Sequence, residues 1–348
     1  MIESSLQSEP VLMPAGSPAG RTAGRTIRSV AAYTALTALL FLPPIFVFVP
    51  AALIHCGLRN GRRAAWIALV LAVPIAGMLM LQSPQGASAI DVKMAYAYFM
   101  ALVVAVAMPA LLVLPMVERR DSFGRVLVAA LIASVGGLAL TEIAMQLFAH
   151  FSPYSLHAAQ AAEMAKAMLT NNPKMPASGS AATFAKTLAS VALFCLPGFL
   201  LMDIVVVFVL SLVMVGRVVA WRQFVETRTL PDSAPYLFRN FSLPEWLAVA
   251  FIASGLSPLA HGMVQKVGAN VLAVVVFLYF IQGLAIFRSL LAAIGAGFIG
   301  VLFAYGTLAL LAFTGLSPLL LTVAGLFDSF FDFRHFNRKD HSDESHSD

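Results

Sequence analysis

Long apolar runs broken by short polar stretches dominate the chain. Spanning about 30 Å of hydrocarbon takes roughly 20 apolar residues. By that rule membrane segments fall at Ser29–Gly57, Ala64–Leu81, Ala95–Met116, Val126–Phe148, Leu188–Val215, Leu247–Gly262, Val271–Ile286, Leu290–Phe313 and Leu319–Phe331. The pattern predicts an all-α, polytopic transmembrane helical bundle of about eight or nine segments. The first is interrupted at Leu42-Pro43-Pro44 and Pro50, so a re-entrant path is one reading of it; it is too long for a signal-peptide core. Residues 1–28, rich in Ser, Pro, Gly and Ala, read as a disordered tail, 29–335 as one membrane domain, and 336–348 as a second disordered tail.

Composition narrows the class further. The 348 residues are 60% apolar and only 11% charged, against roughly 25% charged in soluble domains, and mean hydropathy is +0.86. That balance excludes a soluble enzyme and a nucleic-acid reader built on a basic surface. The net charge of +5 comes from arginines in short loops. Strict alternation puts Arg59, Arg62 and Arg63, then Arg119, Arg120 and Arg125, then Arg217, Arg222, Arg228 and Arg239, then Arg288, then Arg334, Arg338 and Lys339 on one side. Lys93, Lys166, Lys174, Lys186 and Lys266 fall on the other. The positive-inside rule makes the arginine side cytoplasmic. The expectation is therefore a multi-pass protein of the bacterial inner membrane, with a cytoplasmic carboxyl terminus and, if the first segment turns back, a cytoplasmic amino terminus.

Motif chemistry is sparse. Gly295-Ala-Gly297-Phe-Ile-Gly300 matches GxGxxG, but it lies inside an apolar span with no acidic residue about 20 positions on, so close helix approach explains it better than a dinucleotide. Cys56 and Cys195 form no CxxC, and no metal, cofactor or catalytic signature is present, so no enzyme is expected. Two longer loops stand out. Residues 155–170 have helical apolar spacing, and residues 221–240 mix Arg with Trp221, Phe224, Tyr236 and Phe238, a blend suited to an anionic headgroup surface.

Ionisable groups at membrane depth are the strongest functional signal. At about 1.5 Å per residue, Asp203 lies about 21 Å from Arg217 and Glu142 about 25 Å from Arg125, with Gln146 one turn on. His261 and Asn270 fall near the same level. These five are the candidate ligand-binding residues of an outward pocket for a small polar solute; the alternative is that each is packing glue between helices. Asp328 and Asp332 share a helix face, and with Arg334 or Arg288 they are candidates for a latch on the last helix. The partners expected are the lipid bilayer, a small polar solute, and, on the alternative that the chain is a scaffold, a membrane or cytoplasmic protein; nucleic acid is not expected.

Two stretches carry a family resemblance: Phe241-Ser-Leu-Pro-Glu-Trp-Leu-Ala-Val249 and Gly325-Leu-Phe-Asp328-Ser-Phe-Phe-Asp332-Phe-Arg334. With the helices between them, over about 185–335, they resemble the carboxyl-terminal half of the YybS-like family of bacterial membrane proteins, a domain of unknown function. That family is distantly similar to the S components of energy-coupling-factor transporters. The resemblance implies a helical bundle that holds a small solute near the outer face and docks on an ATP-driven module.

Overall fold

A computed structural model describes residues 19–81, 89–157, 160, 163, 179–227 and 236–331. Among them the chain is helical, with no strand. The first apolar segment divides at its prolines. Helix α1 (Ala19–Leu40) ends just before a cis Pro43–Pro44 bond, and a short 3-10 turn leads into α2 (Val49–Asn60). Both helices pack on each other and on α3 (Arg62–Leu81), so the segment does not cross as one rod. Gly61, with φ +88°, makes the turn from α2 to α3, a backbone conformation that favours glycine.

Helix α4 (Ala89–Ala101) passes into a π-helical stretch, Leu102–Ala107, and then through α5 (Met108–Leu112) and α6 (Leu114–Glu118). Pro109 and Pro115 cannot donate to the helical ladder, which accounts for breaks at this point. Helix α7 (Phe123–Phe148) packs on the π stretch through Gly137, where a Cβ would sit 2.4 Å from the Val104 carbonyl oxygen. Helix α8 (Gly179–Thr227) is 49 residues long and contains Pro197; it continues through 221–227, where the sequence predicts a loop. After a 3-10 turn at Phe238–Asn240 come α9 (Leu247–Gly255), α10 (Met263–Ala293), α11 (Phe298–Ala312) and α12 (Leu316–Phe331).

Among the described residues, five helices are long and apolar enough to cross a membrane: Arg62–Leu79, Val92–Glu118, Phe123–Phe148, Ala189–Gln223 and Met263–Ala293. Taking α11 and α12 as one span bent by 109° makes six. The expected eight or nine segments are thus not found as separate spans. The reason is length. Helix α9, at 9 residues, reaches only about 14 Å, and α10 absorbs the start of the expected segment at 290, leaving α11 with 15 residues.

The buried core is drawn mainly from α1 to α8 and α10, whereas no residue of α11 is fully buried. Gly295 and Gly297 lie at the break between α10 and α11 and Gly300 in the first turn of α11, with open space or only Ala296 beside them, so they mediate no helix contact there. One end of the bundle gathers the arginine loops. Arg62 Nε donates to Glu118 Oε2 at 2.8 Å. Phe123 stacks edge-on to Tyr236 and Phe241 at 5.7 and 4.9 Å.

Candidate functional site

Pro197 sits inside α8 and has no N–H, which leaves the Leu193 carbonyl, one turn earlier, without its helical partner. The Tyr154 hydroxyl donates to that oxygen at 2.9 Å. Next to it, the Asn270 amide of α10 bridges a donor and an acceptor that would ordinarily meet in α8. Its Oδ1 accepts from Gly198 N–H at 2.7 Å, and its Nδ2 donates to Phe194 O at 2.9 Å and to Lys266 O at 2.8 Å. Gly198 is required for this approach, because a Cβ there would lie 2.8 Å from Asn270 Oδ1.

Tyr154 is itself held from two sides. Lys266 Nζ donates to its hydroxyl at 2.7 Å and lies 4.6 Å from its ring centroid. Glu142, near the end of α7, accepts from Tyr154 N–H at 3.2 Å, from Gln146 Nε2 at 2.8 Å and from the Ser152 hydroxyl. Burial pushes the nearby His157 imidazole below its ordinary range, and the charge of Glu142 partly offsets that.

Three expected site residues, Glu142, Gln146 and Asn270, therefore join one network at one end of the bundle. Asp203 and His261 do not; both are exposed and neither makes a hydrogen bond with a described residue. Ser152, Tyr154, Lys266 and Pro197 complete the network, and the sequence reading does not include them. Pro197 is the available signal, since a proline within a span leaves a carbonyl in need of a donor. The amphipathic helix expected over 155–170 lies largely outside the described residues.

Of the expected latch, Asp328 and Arg288 lie among the described residues. Asp328, 7% exposed, accepts from Gln282 Nε2 at 2.9 Å, and Gln282 Oε1 accepts from Leu243 N–H at 3.2 Å. This buried amide ties α12 and the 241–247 segment to α10. Asp332 and Arg334 lie outside the described residues.

Arg288 lies elsewhere, at a cavity of about 720 Å³ between α8, the 236–239 turn, α10 and α11. Its walls are apolar, with Val206, Val209 and Val213 from α8 and Phe277, Phe280 and Leu284 from α10. Arg217, Arg239 and Arg288 supply its charge, and Tyr236 and Tyr305 its phenols. Helices α8 and α10 run parallel here: Gly198 meets Asn270 at one end, and Arg217 and Arg288 share the cavity at the other. From Gly198 to Arg217 is about 28 Å, and from Asn270 to Arg288 about 27 Å. The amide network and the arginine layer are thus one hydrocarbon thickness apart.

Tyr236 is 7% exposed and adopts φ +58°. Burial, reinforced by the charge of Asp121, pushes its phenol up to about 12. Unfolded, the phenol ionises near pH 10. Between those values the unfolded chain holds fewer protons, so stability falls as pH rises, by about 2 kcal/mol across the interval. Its hydroxyl makes no hydrogen bond to a described residue, so Tyr236→Phe is expected to leave neutral-pH stability unchanged or slightly raised and to flatten the alkaline loss. Thermal unfolding of both proteins in detergent from pH 8 to 12 measures this; parallel curves would refute it.

A family model described as "Predicted membrane protein (DUF2232)" matches residues 30–329. No curated protein and no solved structure matches the chain, so the expected likeness to S components finds no solved counterpart.

Proposed function

We propose a ligand-binding role, of the kind found in transport or carrier proteins, for this chain, which belongs to the DUF2232 family of predicted membrane proteins. The ligand carries an acidic group and occupies the cavity at the arginine end. One observation supports this above the others: α8 and α10 deliver Arg217 and Arg288 to the same cavity, and the 236–239 turn adds Arg239. Neither Arg217 nor Arg288 forms an ion pair with a described residue. Arg217 is exposed and Arg288 half-buried, so both guanidinium groups are open to an incoming anion, whose charge offsets the repulsion between like charges gathered at one cavity.

This reading moves the ligand from the end expected from sequence to the opposite one. Glu142, Gln146 and Asn270 spend their hydrogen bonds on each other and on the backbone, which suits a clamp better than an open pocket. The positive-inside rule supports a cytoplasmic arginine end in a bacterial inner membrane.

Native mass spectrometry of the detergent-purified protein tests the proposal. Stoichiometric retention of an acidic small molecule or lipid is expected, falling at least tenfold in an Arg217→Gln/Arg288→Gln variant that still purifies as a folded protein. Equal retention by both proteins, or none by either, would reject it.

A further inference from the structure

We infer that the ligand of the arginine cavity is an anionic phospholipid drawn from the surrounding leaflet, an inference that rests on the cavity being an anion site. The shape of the lining carries it. Along α8 the cavity runs from Val206 to Arg217, and along α10 from Phe277 to Arg288. Both are eleven-residue paths of about 16 Å, and half of a 30 Å hydrocarbon core is about 15 Å. Apolar walls therefore extend through one leaflet's depth, and the guanidinium groups lie where that leaflet's headgroups lie.

The wall also opens to the bilayer. Val206 and Leu210 line the cavity, yet they are 39% and 45% exposed on a helix apolar enough to span the membrane. A lipid can enter sideways between α8 and α11 without leaving the hydrocarbon. Its phosphate would meet Arg217 and Arg288, which bind phosphate oxygens in a bidentate fashion, with the Tyr305 phenol beside them. Its chains would cover Val206, Leu210 and Phe280. A water-soluble phosphate ester offers the same headgroup chemistry but leaves that apolar surface unfilled.

The test uses delipidated full-length protein in neutral detergent. It is titrated separately with phosphatidylglycerol, phosphatidylcholine and glycerol 3-phosphate, with binding read by native mass spectrometry. One phosphatidylglycerol per chain is expected, at least tenfold tighter than phosphatidylcholine and at least a hundredfold tighter than glycerol 3-phosphate. Arg217→Gln/Arg288→Gln should abolish the preference. Arg63→Gln, an exposed arginine outside the cavity, should not, which separates a built site from general attraction to a basic end. Val213→Trp, which fills the apolar wall, should weaken lipid binding at least tenfold. If glycerol 3-phosphate binds as tightly as the lipid and depends on Arg217 and Arg288, the anion site stands and the lipid inference falls. If no probe shows dependence on these arginines, both fall.

Discussion

Gly283→Ala is expected to cost about 3 kcal/mol or more of stability, although it replaces glycine with a better helix former. A Cβ at Gly283 would lie 1.9 Å from the Leu321 carbonyl oxygen, and one at Gly325 would lie 2.0 Å from the Tyr279 carbonyl oxygen. Both obstacles are backbone, so no rotamer change relieves them. Helices α10 and α12 must separate, and the Gln282–Asp328 hydrogen bond at 2.9 Å stretches with them. Overpacking of this kind costs about 1–3 kcal/mol, occasionally more, and a buried carboxyl losing its donor adds to that. The propensity gain from glycine to alanine is only about 1 kcal/mol, so packing decides the sign. Neighbouring glycines in α7 provide the control. A Cβ at Gly136 would meet nothing within 4 Å, whereas one at Gly137 would face the Val104 carbonyl oxygen at 2.4 Å. Gly136→Ala should be neutral or stabilising and Gly137→Ala destabilising. Unfolding by sodium dodecyl sulfate in mixed micelles measures all three. A Gly283→Ala protein as stable as the wild type would show that the helix pair is not held at this distance.

Hydropathy reveals the long spans because a helix buried in lipid or among other helices must be apolar over its whole length. It does not separate spans from short apolar helices: the residues of α9 and α11 are as apolar as those of α10, and only the breaks at Ser257–Leu259 and Ile294–Gly297 limit their reach. Depth is legible too, since rise per residue is fixed. Glu142, placed by counting from Arg125, and Asn270, expected near the same level, share a network. Helix rotation is not legible. Asp203 has the right depth but faces outward, exposed, because hydropathy in so apolar a helix contains almost no angular information. The arginine cavity is hidden for a related reason. In the sequence Arg217 and Arg288 look like loop charges that set orientation, and nothing in either helix alone says that the two run parallel with their arginines at one level.

Asn270→Leu is expected to cost about 2 kcal/mol, because the side chain pairs Gly198 N–H and Phe194 O in an apolar setting and each buried group left unpaired costs about 1–3 kcal/mol. Lys266 O, its third partner, keeps its place in the ladder of α10. Partial recovery is built in, since Gly198 N–H and Phe194 O can re-form a helical bond with each other; this keeps the total near the lower sum. Leu193 O has no such recourse while residue 197 is proline. Tyr154→Phe should therefore cost about 1 kcal/mol in the natural chain, through loss of the 2.9 Å bond to that oxygen. In a Pro197→Ala background, the new N–H can pair with Leu193 O, so the same Tyr154→Phe change should cost less than half as much. Four proteins, unfolded under identical mixed-micelle conditions, complete the cycle. Equal penalties in the two backgrounds would mean that Tyr154 stabilises the bundle through Lys266 alone, not by serving the carbonyl that Pro197 sets free. A reduced penalty would identify the proline as the reason that Tyr154 docks on α8.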